Sequence, residues 1–143
     1  MPILPACFLI LFDTISIGIK ANNDAMIGIR LITKSLVLFC FLADFISKYI
    51  DAANINLKSF SEETYAKLNG GSLQPILNTL KTLKAEGVWL EITNLIIPGW
   101  TDDLNMIREM CIWLVNNGFY DNPLHFSRFQ PLHKLTSLPY TPL

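Results

Sequence analysis

Three places in the chain set side chains able to do chemistry close together. The first is Asn56-Leu57-Lys58. In an extended strand, alternation sends Asn56 and Lys58 to one face. There an amide that both donates and accepts stands beside a positive charge. The pair suits a carboxylate or a ribose, and equally suits a solvated strand end. The second is Thr93-Asn94, polar residues inside the otherwise apolar run VWLEITNLII. A buried polar group needs a partner, which is either a backbone group or a ligand. The third is the cluster His125, Ser127, Arg128, Gln130 and His133. Neither histidine has a cysteine or carboxylate at metal-ligand spacing, so no metal site is expected. A serine nucleophile would need an exposed elbow such as G-x-S-x-G, which is absent. No GxGxxG or GxxxxGKS/T loop is present to cradle phosphates. No residue is assigned a catalytic role.

The remaining reactive side chains are Cys7, Cys40 and Cys111. An odd number at wide spacing is neither a disulfide framework nor a structural zinc set, which wants four closely paired ligands. They are expected to be buried or incidental thiols in a reducing, cytoplasmic setting. A net charge of −1 leaves no basic footprint, so nucleic acid is not an expected partner. Charge is scarce at the front, where residues 1–42 carry three basic and two acidic side chains. The apolar runs 3–19 and 36–46 lie there. A membrane-spanning helix needs roughly 20 mostly apolar residues. The first run is interrupted by Pro5 and Asp13, and the second is bounded by Lys34 and Asp44. No basic segment precedes Pro5 to make a secretory signal. A buried helix or strand is therefore expected, with membrane attachment through this segment as the alternative.

These groups need elements to position them, and a regular pattern begins near residue 43. Phe45, Ile46 and Tyr49 stand at helical spacing over residues 43–50. Residues 52–57 read as a short strand. Ser61 is an expected helix N-cap with Glu62 and Glu63 in the first turn, and Asn69-Gly70-Gly71 stops that helix. Residues 73–85 predict a helix whose stripe is Leu73, Ile76, Leu77, Leu80 and Leu83, closed by Gly87. Residues 88–97 predict a strand buried on both faces, as in a parallel sheet, ended by Pro98-Gly99. Thr101 is an expected cap for a third helix carrying Leu104, Ile107, Met110, Cys111 and Leu114, closed by Gly118. Residues 124–129 predict the last strand, and the proline-rich tail 135–143 an extended surface segment. Strand, helix, strand, helix, strand with short links means βαβ units and a parallel sheet. In such folds ligands sit at the carboxyl ends of the strands, which is where the three clusters fall.

The segments DAANINLKSF (51–60), TNLIIPG (93–99) and HFSRFQP (125–131), in this order and spacing, are similar to the radical S-adenosylmethionine enzymes related to the pyruvate formate-lyase activating enzymes. More narrowly, they resemble the AmmeMemoRadiSam branch. The likeness covers residues 43–143. It implies an α/β fold: a partial (β/α) barrel fragment with parallel strands, preceded here by an apolar amino-terminal segment. It further implies a 4Fe-4S cluster held by a CxxxCxxC motif, and S-adenosylmethionine cleaved to a 5′-deoxyadenosyl radical that abstracts hydrogen from a substrate. In activating enzymes that substrate is a partner protein. By resemblance, the cofactor contacts fall on Asn56, Lys58, Thr93, Leu95 and Gln130. Asn56 replaces an acid in the Asp-x-Lys pattern, and Gln130 replaces a histidine.

No CxxxCxxC occurs in the sequence, and three dispersed cysteines are not expected to bind a cluster. Residues 1–42 do not resemble the family. The expectation is therefore a truncated or frame-shifted radical S-adenosylmethionine protein, inactive alone. It either works with a separately encoded amino-terminal half or is a non-catalytic interaction module.

Overall fold

The computed structural model describes residues 14–20, 26–32, 47–132 and 135–142. Five strands form one open sheet in the order β2-β1-β3-β4-β5. β1 (Thr14–Lys20) and β2 (Met26–Ile32) make an antiparallel pair, with Gly18 opposite Gly28. The other edge of β1 runs antiparallel to β3 (Ala52–Asn56), with Gly18 opposite Ala52. A short 3-10 turn, Ser47–Tyr49, leads into β3. β3 lies parallel to β4 (Trp89–Ile96), and β4 parallel to β5 (Leu124–Arg128). The parallel trio expected from the sequence is therefore present, and the antiparallel addition at one edge was not legible. The expectations for residues 36–46 and for the first part of the 3–19 run lie outside the described residues.

Three helical segments join the parallel strands. α1 (Glu62–Thr64) continues as a π-helical turn over Tyr65–Asn69. Ser61 caps it as expected, its hydroxyl accepting from the Thr64 N–H at 3.3 Å. α2 (Leu73–Ala85) has the expected bounds. Its N-cap Ser72 makes no side-chain cap bond. Instead the carboxylate of Glu62 accepts from the Leu73 N–H at 2.8 Å, which meets an orphan donor of the first turn. Gly87, at φ +78°, lets the chain reverse so that Val88 N–H reaches the Leu83 carbonyl. Leu80, Ile76 and Leu83 are sealed against Ile55, Leu90 and Ile92 of the sheet.

α3 (Leu104–Asn116) departs from the sequence expectation at its cap and at the first residue of its stripe, while Ile107, Met110 and Leu114 face the core as expected. Its cap is Asp103, whose carboxylate accepts from Asn105 N–H at 2.7 Å and Met106 N–H at 3.3 Å. Thr101 is buried before the helix, where its hydroxyl donates to the Leu95 carbonyl and accepts from the Ile97 N–H. The helix thus starts two residues later than expected. Met110 and Leu114 are the buried positions, while Leu104 is 77% exposed.

Two further expectations are corrected. β4 is not buried on both faces: its residues alternate, and only Leu90, Ile92 and Asn94 on one side are fully enclosed. α2 and α3 both pack on that side, and among the described residues no helix covers the opposite face. The tail is not a loose surface segment either. Leu135 and Leu138 pack on Ile97 and Phe129. Thr141 is buried, donating to the Ile96 carbonyl at 2.6 Å and accepting from the Phe129 N–H at 2.7 Å. These bonds tie the tail across the ends of β4 and β5.

Candidate functional site

The face of the three parallel strands opposite α2 and α3 is polar. β3 contributes Asn54 and Asn56, with Lys58 just beyond its end, and β4 contributes Glu91 and Thr93. The register sets Asn54 beside Glu91, Asn56 beside Thr93, and Thr93 beside His125 of β5. Parallel strands in register put like-numbered partners on one face, so one alternation brings these side chains together.

The segment that carries Lys58 is fixed from three sides. Leu57 N–H extends the β3–β4 ladder to the Thr93 carbonyl at 2.9 Å. The Leu57 carbonyl accepts from the Asn94 side-chain amide at 2.7 Å. The hydroxyl of Tyr65, itself fully buried, accepts from the Lys58 N–H at 2.9 Å. With its backbone held, the Lys58 ammonium donates to Asn56 Oδ1 at 3.1 Å. Asn94 thus finds the backbone partner that its type demands, on the helix side of the sheet. Its Oδ1 is buried without a hydrogen bond among the described residues.

A second group lies next to the first. Thr93 donates to Asn54 Oδ1 at 3.0 Å, and Asn54 Nδ2 donates to Glu91 Oε2 at 3.4 Å. His125 Nε2 reaches the same Glu91 oxygen at 3.3 Å. Thr93, Asn54, Glu91 and His125 therefore form one continuous chain of polar contacts across three strands. Sequence reasoning found His125 without a carboxylate because it looked along the chain; Glu91 reaches it from the neighbouring strand.

Of the five residues singled out by resemblance, Asn56, Lys58 and Thr93 stand together on the polar face. Leu95 follows Thr93 in the same alternation but packs into the cluster of Ile97 and Phe129, beneath the tail. Gln130 lies past the end of β5, exposed, in a shallow pocket of about 190 Å³ shared with Arg128, Phe129 and Tyr140. His133 lies outside the described residues, as do Cys7 and Cys40. Cys111 is partly buried on α3, on the helix side of the sheet. Among the described residues, no three His, Cys, Asp or Glu side chains gather as a metal-ligand set, and no helix is long and apolar enough to cross a membrane.

No family model matches the chain. Over 94 residues it is 38% identical to an uncharacterized protein of Methanocaldococcus jannaschii. That stretch is 66% of this chain but 28% of the relative, so the similarity spans little more than a quarter of the archaeal protein's length.

Proposed function

We propose that the chain is the carboxy-terminal part of a radical S-adenosylmethionine protein of the AmmeMemoRadiSam branch. On this reading it is a partial (β/α) barrel fragment that keeps a cofactor-contact stripe and lacks the means to use it alone. The observation that carries the reading is the side-by-side placement of Asn56, Lys58 and Thr93 at the carboxyl end of parallel strands, on the face opposite α2 and α3. A carboxylate laid there would meet the Lys58 ammonium in a charge-assisted bond, and a ribose hydroxyl would meet the Asn56 amide. The neutral Asn56 offers less to an ammonium group than an acid would.

Among the described residues, no set of thiolates stands at this site to hold a 4Fe-4S cluster. The described thiol, Cys111, stands on α3 across the sheet from Lys58, and cluster irons require several converging thiolates. When joined to a cluster-bearing half, S-adenosylmethionine would supply the radical; this chain's contribution is to hold the amino-acid and ribose ends. The natural partner is then a separately encoded amino-terminal half or a protein substrate.

Anaerobic reconstitution with iron and sulfide, followed by calorimetric titration with S-adenosylmethionine, tests the proposal. The expected result is no retained cluster, no 5′-deoxyadenosine, and binding that Lys58→Ala weakens by about tenfold or more. Retention of about four irons per chain would overturn the incompleteness. Binding that is indifferent to Lys58→Ala would overturn the site.

A further inference from the structure

Trp89 opens β4 on the face opposite α2 and α3 and is 51% exposed. A large aromatic ring left half in water on a sheet face offers a flat apolar surface on which a ligand can lie. Around it the floor is low. Ala52 is its register partner on β3, and Gly18 is the partner of Ala52 on β1. The next residue on the same face of β4 is Glu91, the centre of the polar chain already described.

That chain leaves a defined set of unspent atoms. Glu91 Oε2 accepts from Asn54 Nδ2 at 3.4 Å and lies 3.3 Å from His125 Nε2. Its other oxygen, Oε1, has no partner among the described residues. Nδ1 of His125 likewise has no partner among the described residues. Glu91 and His125 side chains are 43% and 50% exposed, so both atoms are open to a ligand. A carboxylate oxygen calls for a donor, an imidazole nitrogen pairs with a hydroxyl in either sense, and a flat aromatic face beside them calls for an apolar surface. Adjacent hydroxyls on a ring whose other side is C–H meet both demands at once.

We propose that Trp89, Glu91, His125 and Asn54 form a binding site for a hydroxyl-rich ring, the chemistry of a saccharide. The C–H side of the ring lies on the indole of Trp89. One hydroxyl donates to Glu91 Oε1, its neighbour pairs with His125 Nδ1, and Asn54, held by Thr93, donates to the carboxylate. The site lies toward the amino ends of the strands, apart from Asn56 and Lys58, and stands whether or not the chain binds S-adenosylmethionine.

The test uses the full chain labelled with ¹⁵N and titrated with D-glucose and D-ribose as probes. The chain has three tryptophans, and Trp89→Ala assigns the indole signal that matters. A saturable shift of the Trp89 indole and the Asn54 side-chain amide is expected, with the signals of Trp100 and Trp113 still. Trp89→Ala and Glu91→Gln should each weaken binding of the better probe by about tenfold or more. Glu91→Gln keeps the size of the side chain, and an unchanged backbone spectrum shows that it folds. A linear shift for both sugars, equal shifts at all three indoles, or unchanged affinity in a folded Glu91→Gln protein would overturn the proposal.

Discussion

The two faces of the parallel sheet are made from alternate residues of the same strands, yet they are different materials. On one side Ile55, Leu90 and Ile92 are sealed beneath α2 and α3, and the buried Asn94 among them donates its amide to the Leu57 carbonyl. On the other side Asn54, Asn56, Glu91, Thr93 and His125 are half open and bond mostly to one another. The first face holds the sheet together through loss of apolar surface to water. The second contributes little in that currency, because its hydrogen bonds replace bonds to water. Residues that cost little to change for stability are the ones available for binding, and here they sit one position away from residues that cannot be changed.

The sharpest way to break this comparison is to truncate adjacent residues of β4. Ile92→Ala removes a fully buried side chain between two helices and should cost about 2–5 kcal/mol. Thr93→Val, its neighbour on the open face, removes one hydroxyl bond to Asn54 and should cost about 1 kcal/mol or less. Urea denaturation of both variants gives the two numbers. Similar costs would mean that the polar face is as structural as the core, and would remove the reason to look for a ligand there.

A smaller effect is expected where the faces meet, at the carboxyl ends of the strands. Thr101 and Thr141 act alike: each hydroxyl donates to a β4 carbonyl and accepts from a nearby buried N–H. Thr101→Val or Thr141→Val would leave two backbone groups unpaired, at a cost of about 1–3 kcal/mol each. Thr→Ser at either position should restore most of it. If the valine variants melt like the parent protein, water replaces the hydroxyls and the strand ends are wetter than these bonds imply.

These threonines also show where the sequence ceases to be legible. α2 could be read to the residue because its signal is local: a five-residue apolar stripe followed by Gly87. Thr101 resembles an N-cap by type, and only the competing carboxylate of Asp103 and the distance to the Leu95 carbonyl reveal its actual use. Likewise β4 reads as a strand buried on both faces, since Trp89 and Thr93 are β-forming residues whichever way they point. What divides its faces is the register with β3 and β5, a long-range fact. The site was legible in the same measure. Asn56 and Lys58 show in a single strand by alternation, whereas Asn54, Glu91 and His125 become a group only when three strands are laid side by side. The π-helical turn at Tyr65–Asn69 had no signal at all beyond the glycines that end it.

The smallest expected effect is at the edge of the helix side, where charge rather than packing ties an element down. Lys84, near the end of α2, donates to Asp121 Oδ1 at 3.0 Å and Asn122 Oδ1 at 2.7 Å in the turn before β5. Its hydrogen bond, aided by the nearby positive charge, holds the Asp121 carboxyl below the usual aspartate range. A carboxyl whose value is lowered by folding binds its proton more readily in the unfolded chain. Its contribution to stability is therefore present above the unfolded value and is lost as pH falls through the folded one. Asp121→Asn should leave the denaturation midpoint at neutral pH nearly unchanged, because the pair is exposed and screened. It should make the decline in stability shallower below about pH 4. Some slope will persist, since Lys67 lowers Glu63 in the same sense. An acid limb identical in the two proteins would show that Lys84 is held by Asn122 alone, and that the helix side needs no ion pair to close its lower edge.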